Sequence, residues 1–434
     1  MYAGALSHDA QSRRAARAVA AWCLYDWANS PFTTLVVTFV YGTYFSKAFA
    51  PDEASGTALW SRGIVVSSVI VALLSPILGA AVDRNGTRRR SLIVATLVCV
   101  AATAALAFVS PAAPHAALLV LAVFVTANVA FEIGCVFYNA FLPSLAPAGA
   151  IGRISGYGWA LGYAGGLACL VAGLLFFVGL SGPGLLGLSE ADGFHVRATN
   201  LLVAGWFLVF SVPTFVWVRD TEPGTGRLGV RASIAELGRT WLRMRGYPQV
   251  VRFLLARLIY NDGLVTIFAF GGIYAAGTLG MAFDEILLFG IAINVTAGLG
   301  AWAFGFLDDR AGARATILLS LLALSAATLA AVLAPSKTAF WVAGLVLGIF
   351  AGPTQSASRS LMGRFVPPRH HTEFFGFYAF SGKATAFAGP LLLGIFTQLH
   401  GQRTGMATVL GFFLAGGVLL LSVNEREGIE AARR

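Results

Sequence analysis

Gly79-Ala-Ala-Val-Asp83-Arg84-Asn-Gly86-Thr-Arg88 and Gly305-Phe-Leu-Asp-Asp309-Arg310-Ala-Gly312-Ala-Arg314 are one phrase written twice, 226 residues apart. Each copy keeps a glycine, then Asp-Arg, then a glycine and a basic residue, and each follows an apolar run. Gly156-Tyr-Gly-Trp-Ala-Leu-Gly162-Tyr163 echoes in Gly376-Phe-Tyr-Ala-Phe-Ser-Gly382-Lys383, 220 residues on. Repeats at nearly the same spacing, in one order, mean two copies of one packing unit.

The composition says what solvent that unit needs. Of 434 residues 57% are hydrophobic and 12% charged, and the mean hydropathy is +0.76. A soluble globular chain carries about twice that share of charge. This excludes a disordered chain, a coiled coil and an ordinary soluble enzyme. A spanning helix takes about 20 apolar residues. Twelve apolar segments are read at 19–46, 59–82, 91–110, 115–140, 155–180, 198–218, 250–277, 283–307, 314–333, 338–361, 373–398 and 404–423. Hydrocarbon obliges the backbone to satisfy itself, so all are expected as helices. The expected fold is all-α and integral to the membrane. Two six-helix bundles, 1–218 and 250–434, flank a linker at 219–249.

Charge orients the chain. It carries 30 Lys and Arg against 20 Asp and Glu, an excess that here reads as membrane orientation, not nucleic-acid binding. With both termini in the cytoplasm, 23 basic residues fall on the inner side and 5 on the outer, while Arg257 and Lys383 lie within spans. In the linker, Val230, Ile234, Leu237, Trp241 and Met244 keep helical spacing, with Arg231, Arg239, Arg243 and Arg245 on the other faces. That predicts an amphipathic helix on the inner membrane surface, connecting the halves laterally. Cys23, Cys99, Cys135 and Cys169 sit in apolar runs and read as buried free thiols. No cleavable leader is read at the N-terminus.

The phrase around Asp83 resembles the signature of the major facilitator superfamily, a transporter fold of parallel six-helix repeats. That resemblance implies a cytoplasmic latch in the outward-open state, built on Gly79, Asp83, Arg84, Gly86 and Arg88 and repeated at Asp309, Arg310 and Gly312. Asp83 is expected to pair with arginines of its own loop, and Gly86 to permit the tight turn. A finer resemblance covers nearly the whole chain. It rests on Leu24-Tyr25-Asp26-Trp27-Ala28-Asn29-Ser30, Tyr138-Asn139-Ala140-Phe141-Leu142-Pro143, Arg153-Ile-Ser155-Gly156 and Gly162-Tyr163-Ala-Gly165-Gly166. To these add Gly352-Pro353-Thr-Gln355-Ser-Ala-Ser358-Arg359-Ser360-Leu361, Glu373-Phe-Phe-Gly376, Gly382-Lys383 and Gly389-Pro390. Together they resemble the vacuolar amino-acid effluxer family, whose bacterial members form the "unknown major facilitator" group. The resemblance implies a secondary transporter, and in fungal members efflux of amino acids from the vacuole.

Ionisable residues inside spans cost about 2.5–3.5 kcal/mol each on insertion scales, so each is a functional candidate. They are Asp26, Glu132, Arg257, Asp262 and Lys383. Asp26 and Glu132 share a depth of roughly 11–12 Å by helix rise. Two carboxylates at one depth suit reversible protonation; alternatively each is neutralised separately, by Arg153 or Arg257. Asn29 lies near Asp26, and Tyr138 and Asn139 near Glu132. Asp262 and Lys383 also share a depth: either they form an ion pair or Lys383 binds a substrate carboxylate. Gln355 completes the candidate set.

Other patterns are decoys. Gly376 to Ala384 lacks the spacing and the hydroxyl of a phosphate loop, Gly156 to Gly162 is a helix-packing stripe, and Asn85-Gly-Thr87 faces the cytoplasm. His370-His371 has no ligand partners, so no metal or cofactor site is read. The reading is a monomeric, proton-coupled secondary transporter of amino acids or related carboxylate-bearing solutes in a bacterial inner membrane. The alternatives are a transporter-like receptor without flux, or an embedded enzyme on lipid-linked substrates. The latter would need a dense catalytic cluster, which no loop supplies.

Overall fold

The computed structural model describes residues 2–147, 149–179, 182–220, 224, 226 and 244–433. Among them there are helices and no strands. The long helices are α1 (Tyr2–Pro31), α2 (Glu53–Asn85), α3 (Arg88–Leu106), α4 (Ala116–Asn139), α5 (Ile151–Ala172), α6 (Thr199–Trp217), α7 (Pro248–Leu279), α8 (Phe283–Ala311), α9 (Ala313–Leu333), α10 (Lys337–Phe365) and α12 (Gln402–Leu421). α11 is broken into His371–Lys383 and Ala388–His400, and a short α13 (Glu425–Arg433) follows α12. Eleven spans are long and apolar enough to cross a bilayer; α1, prolonged by Phe32–Phe39 and Tyr41–Ala48, is the twelfth. The expected all-α, twelve-span fold is what the chain adopts. The linker helix lies outside the described residues except for Met244, which is buried, and Arg245, which is exposed.

Local chemistry sets several ends. Pro248 opens α7 in its first turn, where its missing N–H costs nothing. Ser336 caps α10, its Oγ accepting from the Ala339 amide at 3.3 Å. Pro31 cannot donate to the Trp27 carbonyl, and α1 continues beyond it as a π-helical turn. The indole of Trp206 takes that carbonyl at 3.2 Å.

The chain packs as two compact units. The first holds residues 1–74, 86–138 and 161–223. Its core joins α1 to α4 by a reciprocal clamp: the Trp22 indole donates to the Tyr138 carbonyl at 2.9 Å, and the Tyr138 hydroxyl donates to the Trp22 carbonyl at 3.0 Å. Tyr138 also stacks on Trp22 and Tyr25. The second holds residues 75–85, 139–160 and 224–434. It therefore includes the last turns of α2, the Leu142–Leu145 turn and the start of α5 together with α7–α13.

Candidate functional site

The leading glycine and the aspartate of each copy of the repeated phrase lie at helix crossings of the second unit. On α11, a Cβ at Gly376 would stand 2.5 Å from the Ser75 carbonyl of α2, and one at Gly79 would strike the Thr372 carbonyl. On α5, a Cβ at Gly156 would strike the Ala301 carbonyl of α8, and one at Gly305 would stand 2.8 Å from the Arg153 Cα. The repeat offsets map one crossing onto the other, glycine for glycine. Small residues are what let two helix backbones come this close.

Each phrase's aspartate then reaches the start of the helix it crosses. The carboxylate of Asp83 accepts from the Glu373 amide, in the first turn of α11, at 2.8 Å. Asp309 accepts from the Gly152 and Arg153 amides in the first turn of α5 at 2.8 and 3.3 Å. A carboxylate satisfies orphan donors there and meets the positive end of the helix dipole. The copies differ in side chains: Asp309 adds an ion pair to Arg153 Nε at 3.1 Å, whereas Glu373, at the matching position, bonds Nδ1 of His370 at 2.7 Å.

The turns after the aspartates hold their shape with glycine at positive φ, +63° at Gly86 and +92° at Gly312. The second turn is one residue shorter, because α3 begins two residues after Gly86 and α9 directly after Gly312. The equivalent of Arg314 is therefore Arg89, not Arg88. Arg89 Nε donates to the Phe215 carbonyl at the end of α6, and its amide donates to Asp220. Arg314 donates to the Leu420 and Leu421 carbonyls at the end of α12, and its amide donates to Glu425. Arg88 is buried and Arg310 exposed. Arg364 knits the second copy further, bonding Asp308 at 2.6 Å and Glu425 at 2.8 Å.

One residue here was misplaced by the sequence reading. Arg359, one of the 23 basic residues counted on the inner side, lies inside α10 and is buried. Its Nε donates to Ser155 Oγ at 2.9 Å and its Nη2 to the Ser155 carbonyl at 2.7 Å, while Nη1 reaches Asn139 Oδ1 at 3.3 Å. Asn139 is thus engaged by an arginine. Gln355 is half-buried one turn earlier on α10.

The break in α11 is the second centre. It strands the Gly382 carbonyl, because Ala386, which would have donated to it, turns back to the Lys383 carbonyl instead. Asn261 of α7 takes that carbonyl through Nδ2 at 3.2 Å. The adjacent Asp262 is buried beside the start of the second piece, where a Cβ at Gly389 would stand 3.0 Å from its carbonyl. Lys383 is not among its charge partners in the described residues, so the expected Asp262–Lys383 ion pair is not formed. Lys383 ends the first piece, half-buried. Arg257, one turn before Asn261, donates through Nη1 to the Tyr378 carbonyl at 2.7 Å and to Ser381 Oγ at 2.8 Å.

In the first unit, Asp26 of α1 and Glu132 of α4 are half-buried and Asn29 is buried. Their helices are those clamped by Trp22 and Tyr138, whose hydroxyl is spent on a backbone carbonyl. The Gly162 stripe packs on α1: a Cβ at Gly162 would meet Ser30 Oγ at 2.8 Å and the Asp26 Cβ at 3.4 Å. Close helix packing therefore accounts for it.

Residues 53–433 match the family described as vacuole effluxer Atg22-like. An uncharacterised transporter of the major facilitator type, YxiO of Bacillus subtilis, is 30% identical over 95% of this chain and 96% of its own length. Autophagy-related protein 22 of Coccidioides immitis is 24% identical over 58% of this chain, a match spanning 44% of the fungal protein. Among solved structures, the proton:xylose symporter XylE aligns over 96% of this chain and 97% of its own at a TM-score of 0.75 and 14% identity. The human organic anion transporter MFSD10 aligns over 94% and 99%, at 0.71 and 18%. The twelve spans, the twice-written latch phrase and these matches place the chain in the Atg22-like family of major facilitator transporters.

Proposed function

We propose that this transporter carries small carboxylate-bearing solutes, amino acids foremost, by alternating access in a bacterial inner membrane, and that it draws on the proton gradient. Both termini and both latch phrases are assigned to the cytoplasmic side by the excess of arginine there. The observation that carries alternating access is the pair of matching crossings. Each is held by one aspartate on helix-terminal amides and by glycine contacts, a set of bonds that parts without unfolding a helix. Their formation belongs to the outward-open state and their release to the inward-open state. A bias between two such states takes only a few kcal/mol.

Proton coupling is assigned to Asp26, Glu132 or the two together, the carboxylates within the first six spans. The test is uptake driven by a pH gradient, set beside counterflow, in proteoliposomes bearing Asp26→Asn or Glu132→Gln. Neutralising the carrier abolishes concentrative uptake and leaves counterflow. If both variants still concentrate amino acids in response to a pH gradient, coupling through these residues is wrong.

A further inference from the structure

Arg257 is a charge inside a span that the packing around it leaves unbalanced. It is 7% exposed, and a guanidinium keeps its proton in proteins. Among the described residues no carboxylate lies within 4 Å of it. Its contacts are the Tyr378 carbonyl, the Ser381 hydroxyl and the Tyr378 ring, 3.6 Å from the guanidinium carbon. The acid of its own helix, Asp262, is five residues on, about 140° round the axis. An isolated charge in a span is expensive and marks a ligand path.

The free donors have a definite shape. Both protons of Nη1 are used, and the stack on Tyr378 fixes the plane of the group. The Nε–H is buried without a partner, and Nη2 makes no hydrogen bond among the described residues. The Nε and Nη2 donors form one edge with parallel N–H bonds, the fork that matches the two oxygens of a carboxylate. Asn261 lies one helical turn away on the same face and bonds the stranded carbonyl at the break in α11. Interrupted helices of this kind are where secondary transporters hold their substrates.

We propose that the Nε–Nη2 edge of Arg257 receives the carboxylate of the transported solute, beside the break in α11. This rests on the transport reading above and gives it a residue. Lys383 is not needed for it. The purified full chain is tested by thermal stabilisation and by counterflow. The probes are the twenty L-amino acids, their C-terminal amides, succinate, lactate and inorganic phosphate. The wild type responds to at least one carboxylate and not to the matching amide. R257Q, with elution profile and ligand-free melting unchanged, loses that response by about tenfold or more, the size of a lost charge-assisted bond. R257K keeps the charge without the fork and falls between.

The site is overturned if the amide serves as well as the acid, if R257Q responds like the wild type, if phosphate alone stabilises, or if no carboxylate does. Should R257Q not fold, R257K and the acid-to-amide comparison in the wild type decide. A response to succinate or lactate but to no amino acid, lost in R257Q, upholds the site and refutes the amino-acid reading. An amino-acid response untouched by R257Q does the reverse.

Discussion

Arg359 shows how much one side chain hides from a sequence. Its charge follows an apolar run, and a count of loop arginines takes it as one more inner-side cation. The folded chain instead gives it two bonds to Ser155 and one to Asn139. Arg359→Ala leaves those acceptors unmet, at a cost on the order of 2–3 kcal/mol for charged hydrogen bonds. The apparent melting temperature in detergent drops by several degrees. Asn139→Ala removes only the 3.3 Å contact and costs about 1 kcal/mol or less. Equal losses would mean that Arg359 acts through Asn139 and not through Ser155. Asp262 carries the same lesson: depth along a helix paired it with Lys383, but depth does not specify the face. The break in α11, beside which Asp262 lies, becomes visible only in the folded chain.

Between elements, the legible part was the glycine pattern. Gly79, Gly156, Gly305 and Gly376 stood out in the sequence because the repeat put them in register. Their partners did not, since the α2–α11 and α5–α8 crossings bring together residues more than a hundred positions apart. At these crossings Asp309 holds α5 by two amides and an ion pair, while Asp83 accepts one α11 amide at a dipole value of about 0.3–1 kcal/mol. On the alternating-access reading proposed above, releasing either favours the inward-open state. Thr372 is fully buried, so Thr372→Cys labels slowly with maleimide, and adding Asp83→Asn speeds the labelling. An unchanged rate would reduce Asp83 to a turn residue. Gly376→Ala drives a methyl into the Ser75 carbonyl and lowers stability by about 1–3 kcal/mol, read as a lower melting temperature. Gly394, where a Cβ meets nothing within 4 Å, takes the same change without loss.

At the scale of the whole molecule, hydropathy and repetition were enough for twelve helices in two copies, because both are properties of the chain's order alone; the family was legible only in the motifs it shares. Orientation rests on arginine placement. Ser189, exposed between α5 and α6, is assigned to the outer side, so Ser189→Cys labels in intact cells with an impermeant maleimide. Labelling only after permeabilisation inverts the topology. The sequence alignment of the halves erred by one residue after Gly86, where the shorter turn at Gly312 moves the equivalence from Arg88 to Arg89.

That shift has a practical side. Asp220 stands just past α6 and accepts the first-turn amide of α3; Glu425 stands just past α12 and accepts the first-turn amides of α9. Each bundle thus carries its own closing carboxylate a few residues beyond its sixth helix. A gene divided for co-expression as two polypeptides must be cut after Asp220, within 225–243, for the first fragment to keep that carboxylate. A cut at 218 leaves the α3 amide without its acceptor. By the same reasoning a purification tag belongs beyond Arg433, and shortening the second fragment before Glu425 strips α9 of its cap.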